Sequence, residues 1–268
     1  MLELLEQLFR QVRSYAQSER YDLKQVYAKS PKHVTMQFDR DAEDIIINGL
    51  TESGIDFEII TEERPTFSTT ETPPYRIVID PIDGSINFER SITTAAVALA
   101  VLPIDLPVLP ENVQWALVGE LFSGTVYEAQ RGGGAFRNGR RCQTSTASSL
   151  HDCVVGLNLD GCDIHSLKTL LMEEPPLGTS TIRCTGSPAI DSIYVASNTY
   201  DAYIDIGNTL TGESFLASAS IVLEAGGVIS DYKGDPLCPI TSLTQKFSLI
   251  IAGNKKLHHQ IIQRLNKV

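Results

Sequence analysis

The segment Tyr75-Arg-Ile-Val-Ile-Asp-Pro-Ile-Asp-Gly-Ser-Ile-Asn-Phe88 constrains this chain more than any other. Tyr75 to Ile79 is rich in strand-forming side chains and runs directly into the carboxylate of Asp80. Pro81 has no N–H to give to a ladder, so the spacing predicts that regular pairing stops there. A second carboxylate, Asp83, follows, and then Gly84 and Ser85 supply a tight turn and a hydroxyl able to cap a helix. Two carboxylates at one strand end repel each other unless a cation neutralises them, and hard divalent ions with oxygen ligands do so. A helix entry beside them aims N–H groups at an anion. Hard cations beside an anion-binding turn suit a phosphate ester. A plain strand-turn-helix junction is the competing reading.

Around this segment the chain changes character. Leu4, Leu5, Leu8, Phe9 and Val12 recur at helical steps, as do Ala42, Ile45, Ile46 and Leu50 within Asp39 to Leu50, so two helices precede the first strand. Ile55 to Ile60 reads as a strand followed by Glu62-Glu63. If it pairs beside the strand ending at Asp80, four carboxylates meet at one sheet edge; a solvated acidic turn reads equally well. Thr93 to Leu102 reads as a buried strand, and a hairpin turning at Ser123-Gly124 follows. From about residue 151 onward strands and helices alternate: a strand near Val154, a helix near Leu167, a strand near Ile182, then Pro188 to Ala196 helical and Ala202 to Ile206 extended. A helix ending at Glu224, strands from Val228 and over Phe247 to Ala252, and a final helix complete the order. The pattern predicts a layered α/β protein, with an N-terminal α+β half over approximately 1–150 joined to a C-terminal α/β half over approximately 151–268 in one catalytic unit.

Charge and composition narrow the function. Of 268 residues, 22 are basic and 33 acidic, a net charge of 22 − 33 = −11, which argues against a broad nucleic-acid surface. Hydrophobic residues at 42% and charged residues at 21% are globular values and argue against disorder. Glu3 and Glu6 stand where a secretory signal would carry positive charge, and the longest apolar run, Ala95 to Leu102, is far short of the ~20 residues that span a bilayer. Cys142, Cys153, Cys162, Cys184 and Cys238 never form C-x-x-C and read as thiols in a reducing cytoplasm. His258 and His259 read as solvated side chains of a surface helix. Gly132 to Gly134 is not a dinucleotide fingerprint, since Arg137 takes the place of its third glycine. Gly212-Glu213-Ser214-Phe215 begins like a serine-hydrolase elbow, but Leu216 replaces the closing glycine.

Asp80-Pro-Ile-Asp-Gly-Ser-Ile-Asn-Phe88 resembles the D-P-x-D-G-[TS]-x-N-F signature of the inositol monophosphatase family. Thr35 to Asp39, Glu62-Glu63, G-A-F-R-N-G at Gly134, G-S-P-A at Gly186, D-A-Y at Asp201 and E-A-G-G at Glu224 agree in order, so the likeness spans almost the whole chain. The pattern is similar to that of the archaeal-type enzymes that hydrolyse both inositol monophosphate and fructose 1,6-bisphosphate. The resemblance implies a five-layer α-β-α-β-α sandwich of the sugar phosphatase type, two or three Mg²⁺ per site, and a homodimer. Carried over by position, Glu62, Asp80, the Ile82 carbonyl and Asp83 bind metal, and Asp39 serves a third, mobile ion. Glu62 and Ser85 activate the attacking water, the amides of Gly84 and Ser85 receive the phosphate, and Ser187 and Asp205 meet substrate hydroxyls.

One position departs from that pattern. The family places a metal-binding aspartate ten residues before the glutamate of E-A-G-G, and here that residue is Ser214. Glu213, one methylene longer than an aspartate, is the candidate replacement; otherwise the second site is weakened, because a hydroxyl is a poor ligand for a hard cation. The leading expectation is a cytoplasmic Mg²⁺-dependent phosphomonoesterase for a small polyol or sugar phosphate, acting without nucleic acid or membrane. The alternatives are a weak or inactive paralogue that binds a phosphorylated small molecule, a 3′-phosphoadenosine 5′-phosphate phosphatase, and a serine hydrolase using Ser214.

Overall fold

Apolar residues at three- and four-residue steps fold the N-terminus into α1 (Leu2–Ala16), which buries Leu5, Leu8, Phe9 and Val12. The structure, a computed structural model, describes residues 1–18, 26–29, 34–151, 153–162 and 181–266. The helix expected near Leu167 lies outside them. A hairpin of β1 (Val26–Lys29) and β2 (Val34–Met36) leads into α2 (Gln37–Glu52). Then follow β3 (Phe57–Thr61), β4 (Phe67–Ser68), β5 (Tyr75–Asp83), the short α3 (Ser85–Glu89), β6 (Ala96–Pro103), β7 (Trp115–Glu120), β8 (Val126–Gln130), β9 (Gly134–Arg137) and β10 (Arg140–Arg141). They form an eight-stranded sheet in the order β10-β9-β8-β7-β6-β5-β3-β4, antiparallel except where β3 runs parallel to β5. The remainder gives β11 (Val154–Asn158), β12 (Thr181–Arg183), α4 (Pro188–Ala196), β13 (Ala202–Leu210), α5 (Gly212–Glu224), β14 (Val228–Ser230), β15 (Phe247–Ala252) and α6 (Lys255–Leu265). Its five strands are ordered β12-β11-β13-β15-β14.

The period-2 alternation of β6 explains how the layers stack. Val97, Leu99 and Val101 face one cluster with Leu8 and Phe9 of α1 and Ile46 of α2. Ala96, Ala98 and Ala100 face the other, with Ile190 and Ile193 of α4 and Phe215, Leu216 and Ala219 of α5. Small side chains on that face admit two helices between the sheets. Tyr203, Leu249 and Ile251 close the same cluster from the five-stranded sheet, whose opposite face packs Val155, Ile204 and Ile250 on Leu257 and Ile261 of α6. The result is the five-layer α-β-α-β-α sandwich. Among the described residues, no helix is long and apolar enough to cross a membrane.

Four local expectations are corrected. One helix, not two, precedes the first strand, because the β1–β2 hairpin lies between α1 and α2. Pro81 does not end pairing: β5 continues to Asp83, and its register shifts between Asp80↔Ala98 and Asp83↔Ala96. A bulge needs no ladder N–H from every residue, so a proline fits inside it. Ser85 is not a helix cap; Gly84 takes the N-cap position at φ +84°, and Ser85 is the first helical residue. His258 is not a freely solvated side chain, because Ser230 Oγ lies 2.7 Å from its Nε2 and burial lowers its pKa.

Candidate active site

Parallel neighbours end side by side. Ile60 pairs with Val78 and Thr61 with Ile79, so Glu62, just past β3, lies beside the end of β5 that carries Asp80 and Asp83. The first turn of α2 adds Asp39, set by Phe38 packing edge-on against Phe88 at 4.9 Å between ring centroids. The first turn of α5 adds Glu213. Asp39, Asp80, Asp83 and Glu213 are each 4% exposed, so four buried carboxylates depend on one another and on what neutralises them. Glu62 itself is an exposed residue just past the end of β3.

The electrostatics follow from that crowding. Burial, then the charges of Asp83, Glu62, Glu213 and Asp39, hold Asp80 well above the usual carboxylate range. Glu62 is raised to about 8 by enclosure and by Glu213, Glu63, Asp39 and Asp83. Asp39 and Asp83 are each raised to about 7, chiefly by burial, with hydrogen bonds opposing the rise. Asp39 Oδ1 accepts from Ser85 Oγ at 3.0 Å and its Oδ2 from the Met36 amide at 3.3 Å. Asp83 Oδ2 accepts from Ser187 Oγ and, at 3.0 Å, from the Ala189 amide. Asp80 Oδ1 is buried with no hydrogen-bond partner.

These residues fit a hard divalent cation in donor chemistry. The ligand atoms are carboxylate oxygens, the charges acting most on Asp80 and Glu62 are all negative, and an orphaned carboxylate oxygen in the interior calls for a positive partner. They are not a finished cage: among the described residues no three acidic, His or Cys side chains are arranged to hold a metal as they stand. Asp39 and Asp83 are turned onto protein donors and would exchange those bonds for a metal. The Ile82 carbonyl likewise accepts Ser85 Oγ at 2.8 Å.

The structure places Glu213, not Ser214, among the carboxylates. Ser214 Oγ donates to the Thr211 carbonyl at 3.0 Å and serves the entry of α5. Gly84 has no substitute in its place, since a Cβ there would stand 2.9 Å from the Thr94 carbonyl oxygen at a left-handed φ. Asn87 Nδ2 donates to the carbonyls of Thr94 (2.8 Å) and Thr185 (2.7 Å), tying α3 to the turn that presents Ser187. Ser187, fully buried, caps α4 and orients Asp83. Asp205 is separate from the cluster: it accepts from Asn158 Nδ2 at 2.7 Å and is raised to about 6 by burial, with Asp160 the nearby charge.

Sequence reading missed two buried acids. Asp191, in α4, is raised to about 7 by burial and feels Asp83. Glu43, fully buried, lies four residues after Asp39 and so on the same face of α2, a spacing that could have marked it. A cavity of about 280 Å³ adjoins Glu62, lined also by Ile60, Arg64, Ile240 and Leu243, and a smaller one of about 40 Å³ adjoins Ser187 and Asp191. The larger space of about 670 Å³ between α1 and β8, lined by Arg10, Arg13 and Glu128, contains none of the clustered carboxylates.

A layered α-β-α-β-α sandwich with acidic strand ends facing the entries of α2 and α5 defines the class of fold, and similarity narrows it. The model of the inositol monophosphatase family matches residues 2–268. The fructose-1,6-bisphosphatase/inositol-1-monophosphatase of Methanothermobacter thermautotrophicus is 31% identical over 240 residues, covering 87% of this chain and 84% of that protein. The inositol-1-monophosphatase of Mesorhizobium japonicum is 29% identical over 248 residues, covering 91% and 86%. The crystal structure of the extragenic suppressor protein suhB from Bartonella henselae superposes with a TM-score of 0.80 at 27% identity, covering 99% of this chain and 98% of that one. This chain belongs to the inositol monophosphatase family, whose members hydrolyse phosphate monoesters and are generally metal-dependent.

Proposed function

We propose that this protein hydrolyses the phosphate monoester of a small polyol or sugar, with inositol monophosphate and fructose 1,6-bisphosphate as the substrates to which its relatives point. The observation that carries the reading is the meeting of Glu62, Asp80, Asp83 and Glu213 at the ends of two parallel strands within this family's fold. Glu62, Asp80, the Ile82 carbonyl, Asp83 and Glu213 would hold magnesium, two or three ions per site with Asp39 serving the third. Bound there, the ions would cancel the carboxylate charge and supply a Lewis acid for phosphoryl oxygens and water. Glu62 and Ser85 orient the attacking water, and Ser85 must release Asp39 or the Ile82 carbonyl to do so. The amides of Gly84 and Ser85 receive the phosphate, Ser187 keeps Asp83 aimed, and Asp205 meets a substrate hydroxyl. The two sheet-centred halves act as one catalytic unit, in a cytoplasmic homodimer that needs no nucleic acid or membrane.

The test is phosphate release from myo-inositol 1-phosphate, fructose 1,6-bisphosphate and adenosine 3′,5′-bisphosphate across a range of Mg²⁺. Release abolished by EDTA supports the reading, and no release from any of them overturns it. Full activity in Asp83→Asn would overturn the assigned roles. Ser214, standing where the family pattern has an aspartate, favours a second reading: a phosphate-ligand binder with weak turnover. Calorimetry that counts a single bound Mg²⁺ would decide for it.

A further inference from the structure

Both neighbours of Glu62 are tied to α2, and one buried carboxylate organises the ties. Glu43 Oε1 accepts from Thr61 Oγ1 at 2.7 Å, while its Oε2 accepts from Arg64 Nε at 2.5 Å and Arg40 Nη1 at 3.0 Å. Arg64 also pairs with Asp44, and Arg40 Nη1 also donates to the Glu63 carbonyl at 3.1 Å. Thr61 precedes Glu62 and Glu63 follows it. The segment Thr61 to Arg64 is therefore pinned before and after the residue that enters the carboxylate cluster.

That pinning opposes a force. Glu213, Glu63, Asp39 and Asp83 all repel Glu62, and an unrestrained loop would relieve the repulsion by swinging Glu62 away from the cluster. Glu43 lies one helical turn beyond Asp39, so the same helix carries one carboxylate of the cluster and anchors the segment bearing another. Its buried negative charge is matched by two partly exposed guanidiniums, each about a fifth exposed.

We infer that Glu43 is a positioning residue for divalent-cation binding: through Thr61, Arg64 and Arg40 it holds Glu62 in register with Asp39 against their mutual repulsion. Glu43 itself touches neither metal nor substrate. The inference rests on the reading of the cluster as a metal site.

The full-length chain tests it without substrate. Mg²⁺ is titrated by calorimetry into wild type, Glu43→Gln and Thr61→Val, at a temperature where circular dichroism shows each native. Glu43→Gln keeps the shape and loses the charge; its Kd for Mg²⁺ rises about tenfold, and amide exchange at residues 61–64 accelerates. Thr61→Val, which removes only the hydroxyl tie, shows a smaller rise. A residue that served stability alone would lower the melting temperature and leave Kd unchanged, so wild-type Kd in both variants overturns the inference. If Glu43→Gln does not fold, Arg40→Met, at a partly exposed position, breaks the Glu63 tie, and an unchanged Kd there overturns it equally. Wild type that takes up no Mg²⁺ overturns the metal reading itself, and this inference with it, a result distinct from a variant that matches wild type.

Discussion

At the entry of α5 two adjacent residues do different work. Glu213 is buried among carboxylates, while the Ser214 hydroxyl is engaged with Thr211 at the helix start. Successive helical residues point about 100° apart, so only one of the pair can face the cluster. Glu213→Gln should weaken Mg²⁺ affinity about tenfold or more, as loss of a ligand charge does. Ser214→Ala should leave it unchanged and lower stability by about 0.5–1.5 kcal/mol, one neutral hydrogen bond. Paired calorimetric and thermal titrations check this, and the opposite ranking would return the role to Ser214. Gly84 makes the other sharp residue-level prediction. With a left-handed φ of +84° and the Thr94 carbonyl 2.9 Å from where a Cβ would lie, Gly84→Ala should destabilise the fold by about 1–3 kcal/mol and sharply reduce phosphate release. Denaturant melts that overlay wild type would show that the turn relaxes freely.

Elements were legible where local chemistry dictates them. Pro188 at the first helical position opens α4, and Phe247–Ala252, apolar but for Ser248, makes a strand buried throughout, so both have the bounds their residues suggest. The continuation of β5 through Pro81 was not legible, because a bulge exists only relative to a partner strand and β6 supplies the register. The partners of Glu43 were equally hidden, although its spacing from Asp39 was not: Thr61 and Arg64 lie 18 and 21 residues away, and only the packing of α2 beside β3 brings them together. The carboxylate cluster was half legible, since Asp80 and Asp83 lie three residues apart in one motif whereas the arrival of Glu213 required the turn of a helix from the far half of the chain. The short α3 shows how an element depends on such remote support. Too short to be stable alone, it is held by Asn87 to Thr94 and Thr185. Asn87→Ala removes a donor from two part-buried carbonyls, of which that of Thr185 keeps the Thr94 hydroxyl at 3.1 Å, and should lower stability by about 1 kcal/mol, measured by urea denaturation. It should also reduce turnover, because the same bonds place the Ser187 turn beside Asp83.

Across the whole molecule the carboxylate cluster links pH, metal and stability. Asp39 and Asp83 are raised to about 7 and Glu62 to about 8, from unfolded values of 3.8 and 4.5. A raised carboxylate binds more protons in the folded state, so its stabilising contribution is full below the unfolded pKa and is lost as pH rises through the folded one. The metal-free protein should therefore melt at progressively lower temperature between about pH 4.5 and pH 8. Magnesium demands the ionised form, so it must displace those protons, and its stabilisation grows with pH where theirs fades. Saturating Mg²⁺ should flatten the decline, with the largest rise in melting temperature near pH 8 and little below pH 5. Differential scanning calorimetry in EDTA and in Mg²⁺ across that range measures both slopes. Parallel slopes, separated by a constant offset, would mean that the ion binds away from Asp39, Asp83 and Glu62. Convergence of the two curves at acid pH would place proton and cation in competition for the same oxygens. A chain of net charge −11 could then present a locally positive site to a phosphate ester only while the metal is bound.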